Sequence, residues 1–304
     1  MSLVINHNLM AQNAARNLSQ SYSELGVSTR RLSSGLRVGT AADDAAGLAV
    51  RELMRADIAS LNQGVRNAND AISLIQTADG ALGVIDEKLI RMKELATQAS
   101  TGSYTSAQRL IIDSEYQAMA SEITRIANAT DFNGIYLLNG NLSSSVHDGT
   151  GMNPIGKIKI HFGTGNSSAE DYYFINIGNS TASAFGLGLA AALKSGTGAA
   201  ANAGRSISTQ ALAQAALDQI NNAIVSKDKI RAQLGATQNR LENTIQNLQI
   251  QAENLQSAES RISDVDVATE MTQFVREQIL TQAAVAMLSQ ANSLPKMAMQ
   301  LIQG

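Results

Sequence analysis

The 304-residue chain has no cysteine and no tryptophan, only two prolines, Pro154 and Pro295, three histidines, and 4 % aromatic residues. The absence of cysteine excludes disulfides, thiolate metal sites and a cysteine nucleophile, and fits either side of a membrane. With few aromatics for bulk, a core must be built from Leu, Ile, Met and Ala, which suits narrow seams between helices. His7, His147 and His161 are far apart and have no acids at ligand spacing, which argues against a metal or acid–base role. The net charge of −3 and pI near 5.7 imply no general nucleic-acid or anionic-membrane partner. Residues 1–42 do carry Arg16, Arg30, Arg31 and Arg37 against Glu24 alone, too sparse for a phosphate-binding patch and better read as a solvated or partner-facing helix. Two uncharged runs, Tyr172–Leu193 and Gln278–Pro295, are broken by Asn, Ser, Thr or Gln, so neither is expected to span a bilayer. The start, "MSLVINHNLMAQNAARNL", lacks the basic and apolar regions of a cleavable secretion signal.

What the chain does have is period. Met54, Ile58, Leu61, Val65, Ala68, Ile72, Ile75, Asp79 and Leu82 are spaced 4-3-4-3 with one polar exception, the seam of a coiled coil. A helix over 44–99 would be roughly 80 Å long, which predicts a rod. Ile112, Tyr116, Met119, Ile123 and Ile126 repeat the spacing in a shorter helix. Leu241, Ile245, Leu248, Ala252, Leu255, Glu259 and Ile262 do so in a second long one, extended backward by Ile220, Ile224 and Leu234 with polar Lys227, Arg231 and Gln238 between. Near the start, Leu18, Tyr22, Leu25, Thr29, Leu32 and Leu36 predict a first helix; Val267 to Met299 predicts a last, Ala-rich one that Pro295 interrupts.

Between the long helices the character changes. In "ATDFNGIYLLNG" two Asn-Gly pairs, 133–134 and 139–140, bracket a short apolar strand, a hairpin signature. "KIKIHF" and "DYYFINIG" read as strands joined by the turn "GTGNSSAE", and "GLGLAAALKSGTGAAANAG" reads as small-residue loop with a short helical turn. A long helix cannot bury its stripe alone, so the chain is expected to fold back on itself with both termini at one end.

Chemistry-bearing constellations are weak. Gly186-x-Gly188 lacks the βαβ setting of a dinucleotide site. "DVDVATE" at 264–270 lacks the glycine and further ligands of a calcium loop. Asn141, Asn166 and Asn179 begin Asn-x-Ser/Thr triplets, which do not by themselves establish modification. In "GTAADDAAGLAVREL" the acids Asp43 and Asp44 sit in an Ala/Gly wall with Gly47. They are expected to start the following helix by accepting its orphan N–H groups, the small residues allowing close backbone approach. No cofactor and no catalytic cluster is implied.

The stretches "INHNLMAQNAARNL", "RLSSGLRVGTAADDAAGLAV", "RNANDAISLIQTADGAL" and "TDFNGIYLLNG", followed by "LGATQNRLENTIQNLQIQAENLQSAESRISDVDVATEM" and "ILTQAAVAMLSQAN", occur in this order at the two ends of the chain. In them the sequence resembles the bacterial flagellins over essentially its whole length. The resemblance implies a mainly α fold: a long antiparallel helical coiled-coil rod made by the N- and C-terminal halves, with a small β-hairpin region inserted between them. It implies terminal inner-tube helices (1–42 with 261–304), a long helical bundle (43–140 with 205–260) and an insertion (141–204) that belongs to the helical domain. The Asp43–Asp44–Gly47 stretch corresponds to the segment connecting the layers.

The resemblance further implies a non-enzymatic, secreted subunit of the extracellular flagellar filament. Its partners would be copies of itself, the flagellar type III export apparatus and an export chaperone, and the filament cap and hook-associated junction proteins. Toll-like receptor 5 would contact Arg91, Leu95 and Glu115, although Ile90 stands where the family usually has Gln and Ala118 where it has a polar residue. A hook–filament junction protein shares the terminal helices and is the alternative; the match through the central helices favours the filament. A coiled-coil signalling protein would need membrane spans, and an enzyme inserted into the core would need more inserted chain.

Overall fold

The computed structural model describes residues 7–144, 156–168, 170–188 and 203–303. Within them the heptad rows become five helices, with two short hairpins between the third and fourth: α1 (Leu9–Ser34), α2 (Ala45–Ser100), α3 (Ser106–Ala129), β1 (Asp131–Phe132), β2 (Ile135–Tyr136), β3 (Ile158–His161), β4 (Tyr172–Ile175), α4 (Gln210–Ser263) and α5 (Val267–Gln303). The chain divides into two compact units, Met1–Ile58 with Ala252–Gly304, and Ala59–Gln251. Pro154, His147 and most of "GLGLAAALKSGTGAAANAG" lie outside the described residues.

In the unit Ala59–Gln251, the expected seam is one edge of a wider buried face. Leu61, Ala68, Ile75 and Leu82 are buried, but so is a second row, Ala71, Leu74, Ala78, Ile85, Leu89, Met92, Ala96 and Ala99. Val65 and Ile72 are only half-buried. The reason is the number of neighbours: α2 is covered by α3, α4 and the hairpins together, so its apolar stripe spreads beyond a two-helix seam. Ile112, Tyr116, Ala120, Ile123 and Ala127 of α3, and Ala213, Ala216, Ile220, Ala223, Leu234 and Leu241 of α4, complete the same cluster; each fully buried Leu or Ile contributes about 1.5–3 kcal/mol. Leu248 is buried and Ile245 half-buried further along α4.

The polar exceptions in the two long rows meet each other. Arg231 donates two hydrogen bonds to Asp79, at 2.7 and 3.1 Å. Lys227, 2 % exposed, reaches Asp86 at 2.5 Å and its neighbour Asp228 at 2.7 Å. Partners that advance along α2 while receding along α4 make the two helices antiparallel, and the pairs fix their register. The α3 start is a complete capping box, Thr105 with Gln108, and Arg109 donates to the carbonyl of Ala99 in the last turn of α2 and to that of Thr101 just beyond it, both at 2.9 Å.

The first Asn-Gly pair makes the β1–β2 turn, with Asn133 and Gly134 at φ 53 and 80, both left-handed as such hairpin turns require. The pairing is Asp131↔Tyr136 and Phe132↔Ile135. The expected second hairpin also forms, from Ile158↔Ile175 to His161↔Tyr172. Its Ile158 and Ile175 are buried in the core, while Lys159 stacks on the outer Tyr172 ring.

In the other unit, α1 is capped by Asn8 at its start and Gly35 at its end. The chain beyond α1 pairs with the chain beyond α4 through the Leu36↔Asp264 bridge and the Arg37 N–H to Ser263 carbonyl bond, 2.7 Å. α5 runs through Pro295 rather than stopping at it; proline removes one intrahelical donor, a loss a helix can absorb without ending.

Candidate functional site

The inner rows of α1 and α5 mix apolar residues with carboxylates and hydroxyls that a helix pair normally turns to solvent. Facing positions recur at heptad spacing: Ala11, Ala14, Leu18, Ser21, Leu25, Ser28 and Leu32 on α1, and Glu270, Phe274, Glu277, Thr281, Ala284, Leu288 and Ala291 on α5. The small members let the two backbones approach closely along their length. Among the described side chains of these helices, only Ser28, Glu270, Glu277, Thr281 and Ala291 are buried. The α1 row read from the sequence is thereby corrected: Tyr22 is 57 % exposed and Thr29 is exposed. Leu18, Leu25 and Leu32 keep their expected inner places, and only the alternate positions move, from Tyr22 and Thr29 to Ser21 and Ser28, which permit an approach that Tyr22 would block.

The interior of the pair is ionic and imperfectly paired. Arg31 lies 3.6 Å from Glu270, and Arg276 lies 3.3 Å from Glu277. The Arg31 Nε and one Glu270 carboxylate oxygen are buried without a hydrogen-bond partner. A cavity of about 220 Å³ is lined by Glu24, Ser28, Arg31, Gln273, Arg276 and Glu277, among others. Meanwhile the large apolar side chains point away. Val267, Met271, Val275 and Ile279 form a stripe at four-residue spacing, joined by Leu280, Val285 and Met287; Leu9, Met10 and Tyr22 stand out from α1. Ile279 is 59 % exposed and Met287 60 %. Exposed apolar side chains of this number, on helices that at the same time enclose two carboxylates, mark an interaction surface.

The segment leading into α2 is held by its acids, though not both in the expected way. Asp44 precedes the helix and accepts the Gly47 N–H at 2.9 Å. A Cβ at Gly47 would run into that carboxylate, which gives the glycine its reason. Asp43 does not cap the helix: it closes the preceding turn, accepting from the Thr40 N–H and hydroxyl and from Arg30 of α1. Those Thr40 bonds, with the Arg30 charge, hold its carboxyl below the usual range. Arg51, 7 % exposed, donates to the Val38 carbonyl at 2.6 Å. Met54, Ile58 and Leu255, expected as buried seam, are half-buried here.

The structure brings Arg91 and Glu115 together on one face of α2 and α3, 2.7 Å apart and both about half exposed, with Glu94 completing the cluster at 3.0 Å. The hydrogen bonds to Glu115 and then Glu94 raise the Arg91 pKa. Leu95 is not beside them at the surface. It is 2 % exposed, in the core next to the row Leu89, Met92, Ala96 and Ala99. The apolar surface residues near the pair are instead Ile90, at 49 % exposure, and Ile111, at 71 %; Ile111 lies one helical turn before Glu115, a spacing readable in the sequence. Further along, Asn239, Asn243, Asn247 and Gln251 of α4 line a groove of about 870 Å³ with Arg240 stacked 3.5 Å over the Tyr173 ring. Among the described residues no cluster of three or more His, Cys, Asp or Glu is placed to hold a metal, and no helix is long and apolar enough to cross a membrane.

Comparison with known proteins finds the profile of the bacterial flagellin N-terminal helical region over residues 5–143 and that of the C-terminal helical region over 217–302. The flagellin of Bacillus subtilis is 42 % identical to this chain, covering 98 % of it and 99 % of the relative. The flagellin of Halalkalibacterium halodurans is 39 % identical over 99 % of this chain and all of the relative. A flagellar filament core protein of Brachyspira hyodysenteriae is 40 % identical with the same coverage. Among solved structures, Bacillus cereus flagellin superposes with a TM-score of 0.44 at 27 % identity, covering 64 % of this chain and 94 % of that one.

Proposed function

This chain belongs to the bacterial flagellin family and is a structural subunit of the flagellar filament, and from that premise we propose that the outward apolar faces of α1 and α5 are the surfaces through which copies join. The observation that carries this reading is the uneven burial of the terminal pair: its inner rows enclose Glu270, Glu277 and Thr281 beside their apolar members, while Val267, Met271, Val275, Ile279 and Met287 stand outside. The pair gains little by folding on itself. Ordering its backbone costs about 1–2 kcal/mol per residue, and burial of the outer stripe against other subunits offsets that cost. Residues 1–42 and 261–304 then form the inner layer of the filament, 43–140 with 205–260 the layer outside it, and 141–204 an appendage of the latter.

The chain reaches the extracellular flagellum through the type III export apparatus with an export chaperone, and meets the cap and hook-associated junction proteins at the filament ends. For Toll-like receptor 5, the surface on offer is the Arg91–Glu115 pair with Ile90 and Ile111, not Leu95, whose side chain is enclosed. The test of the assembly reading is deletion of residues 267–304. The remaining chain should keep a cooperative helical melt but fail to extend filament seeds in light scattering. Growth at the normal rate would refute the assembly role; loss of the melt would show that the tail holds the core.

A further inference from the structure

The sequence contains ten methionines. Among those whose side chains are described, Met92 is fully buried and Met54 and Met119 are half-buried. Four stand out in solvent, at 45–60 % exposure: Met10 on α1 and Met271, Met287 and Met297 on α5. All four lie in the terminal unit and none in the unit Ala59–Gln251. Leu or Ile would supply a similar apolar contact at these places, since exchanges of Leu and Met conserve volume. The thioether differs in being oxidisable.

We propose that Met10, Met271, Met287 and Met297 are oxidation sites, open to hydroperoxides in the free subunit and closed in the filament, whose conversion to sulfoxide blocks assembly; this rests on the assembly reading above. The sulfur lone pair attacks one peroxide oxygen. The S–O bond forms as the O–O bond breaks, the sulfur loses two electrons, and the proton on the transferred oxygen passes to the departing one, which leaves as water from hydrogen peroxide or as an alcohol from an alkyl hydroperoxide. The product places a strong hydrogen-bond acceptor on α1 beside Leu9 at Met10 and on the outer side of α5 at the other three, where Met271 and Met287 stand among exposed Val, Ile and Leu. Buried against another copy, it finds few donors and is left unpaired, weakening association by roughly tenfold at each such site. The lesion is reversible, because reductases return each sulfoxide epimer to the thioether.

The experiment treats free chains and finished filaments with hydrogen peroxide, maps sulfoxide by peptide mass spectrometry, and then follows seeded growth. Each treated sample is compared with its own untreated control. The wild type is set beside the variant carrying M10L, M271L, M287L and M297L, whose folding is checked by circular dichroism. Oxidised wild type should grow at least about tenfold more slowly, reductase should restore it, and the variant should lose far less. Filaments should be oxidised at the four sites much more slowly than free chains. Wild type that carries sulfoxide at all four sites yet grows normally would overturn the proposal, as would an equal loss in the variant or equal oxidation of filaments. An untreated Ile279→Asp chain separates the two ideas. If it fails to grow while oxidised wild type grows, the oxidation proposal falls alone; if it grows normally, the assembly reading falls and takes the proposal with it.

Discussion

Glu277→Leu should strengthen the pairing of α1 with α5 in the free chain. Glu277 is 5 % exposed, on the inner row of α5, beside the cavity lined by Glu24, Ser28 and Arg31. Its ionic partner, Arg276, is 66 % exposed at the side chain, and Arg31, which lines the same cavity, keeps Glu270 as its partner. A leucine there has about 220 Å³ of adjoining space to occupy, and burying it is worth about 1.5–3 kcal/mol. Loss of a nearly buried carboxylate lifts a desolvation cost in addition. At about 1.4 kcal/mol per tenfold, amide hydrogen exchange across α1 and α5 should slow by roughly ten- to a hundredfold. The assay is native-state exchange on the monomer, read peptide by peptide, with α3 as internal reference. Unchanged or faster exchange in α1 and α5 would refute the claim that the enclosed Glu277 carboxylate limits the stability of this pair.

Three further outcomes follow from the unit Ala59–Gln251. Ile75→Asp puts a carboxylate at a position 1 % exposed inside the apolar cluster; the thermal midpoint should drop sharply, the cost being several kcal/mol, and an unchanged melt would contradict the α2 core face. Asp79 has its carboxyl pKa lowered first by the Arg231 hydrogen bond. Its contribution is therefore present above the ordinary carboxylate range near pH 4 and lost as pH falls through its lowered value; the melting point of wild type should fall more steeply on acidification than that of Asp79→Asn, and parallel curves would reject the pair as a register pin. Arg91→Ala removes the charged centre of the Arg91–Glu115 cluster, so Toll-like receptor 5 signalling by monomer should weaken; signalling at wild-type strength would place the contact elsewhere.

Most of the helical plan could be read directly. The row from Leu61 to Leu82 predicts α2 because a 4-3 apolar repeat has one physical solution, and the Asn133-Gly134 pair predicts the β1–β2 turn because few other residues adopt two left-handed positions in succession. The depth of burial was less legible. Leu95 reads as a surface residue when taken with Arg91, yet it sits next to the row through Leu89, Met92 and Ala96, and only the presence of α3 and α4 together shows that α2 is covered on so wide a face. Lys227 and Arg231 look like defects in a seam until Asp86 and Asp79 are found opposite. The terminal pair was legible only in part: the apolar row predicts Leu18, Leu25 and Leu32 on the inner face, but a search for apolar rows cannot find Ser21 and Ser28 between them or the buried Glu270, Glu277 and Thr281 of α5.

Because the chain has no cysteine, one introduced thiol reports on one place. Ile279→Cys, at the centre of the outer α5 stripe and 59 % exposed as isoleucine, should react with a maleimide in the free subunit at the rate of an open thiol. After seeded assembly of the same chain the reaction should slow by about a hundredfold or more, as expected for a side chain taken out of water. Labelling at the same rate in subunit and filament would contradict the claim that this face joins the copies.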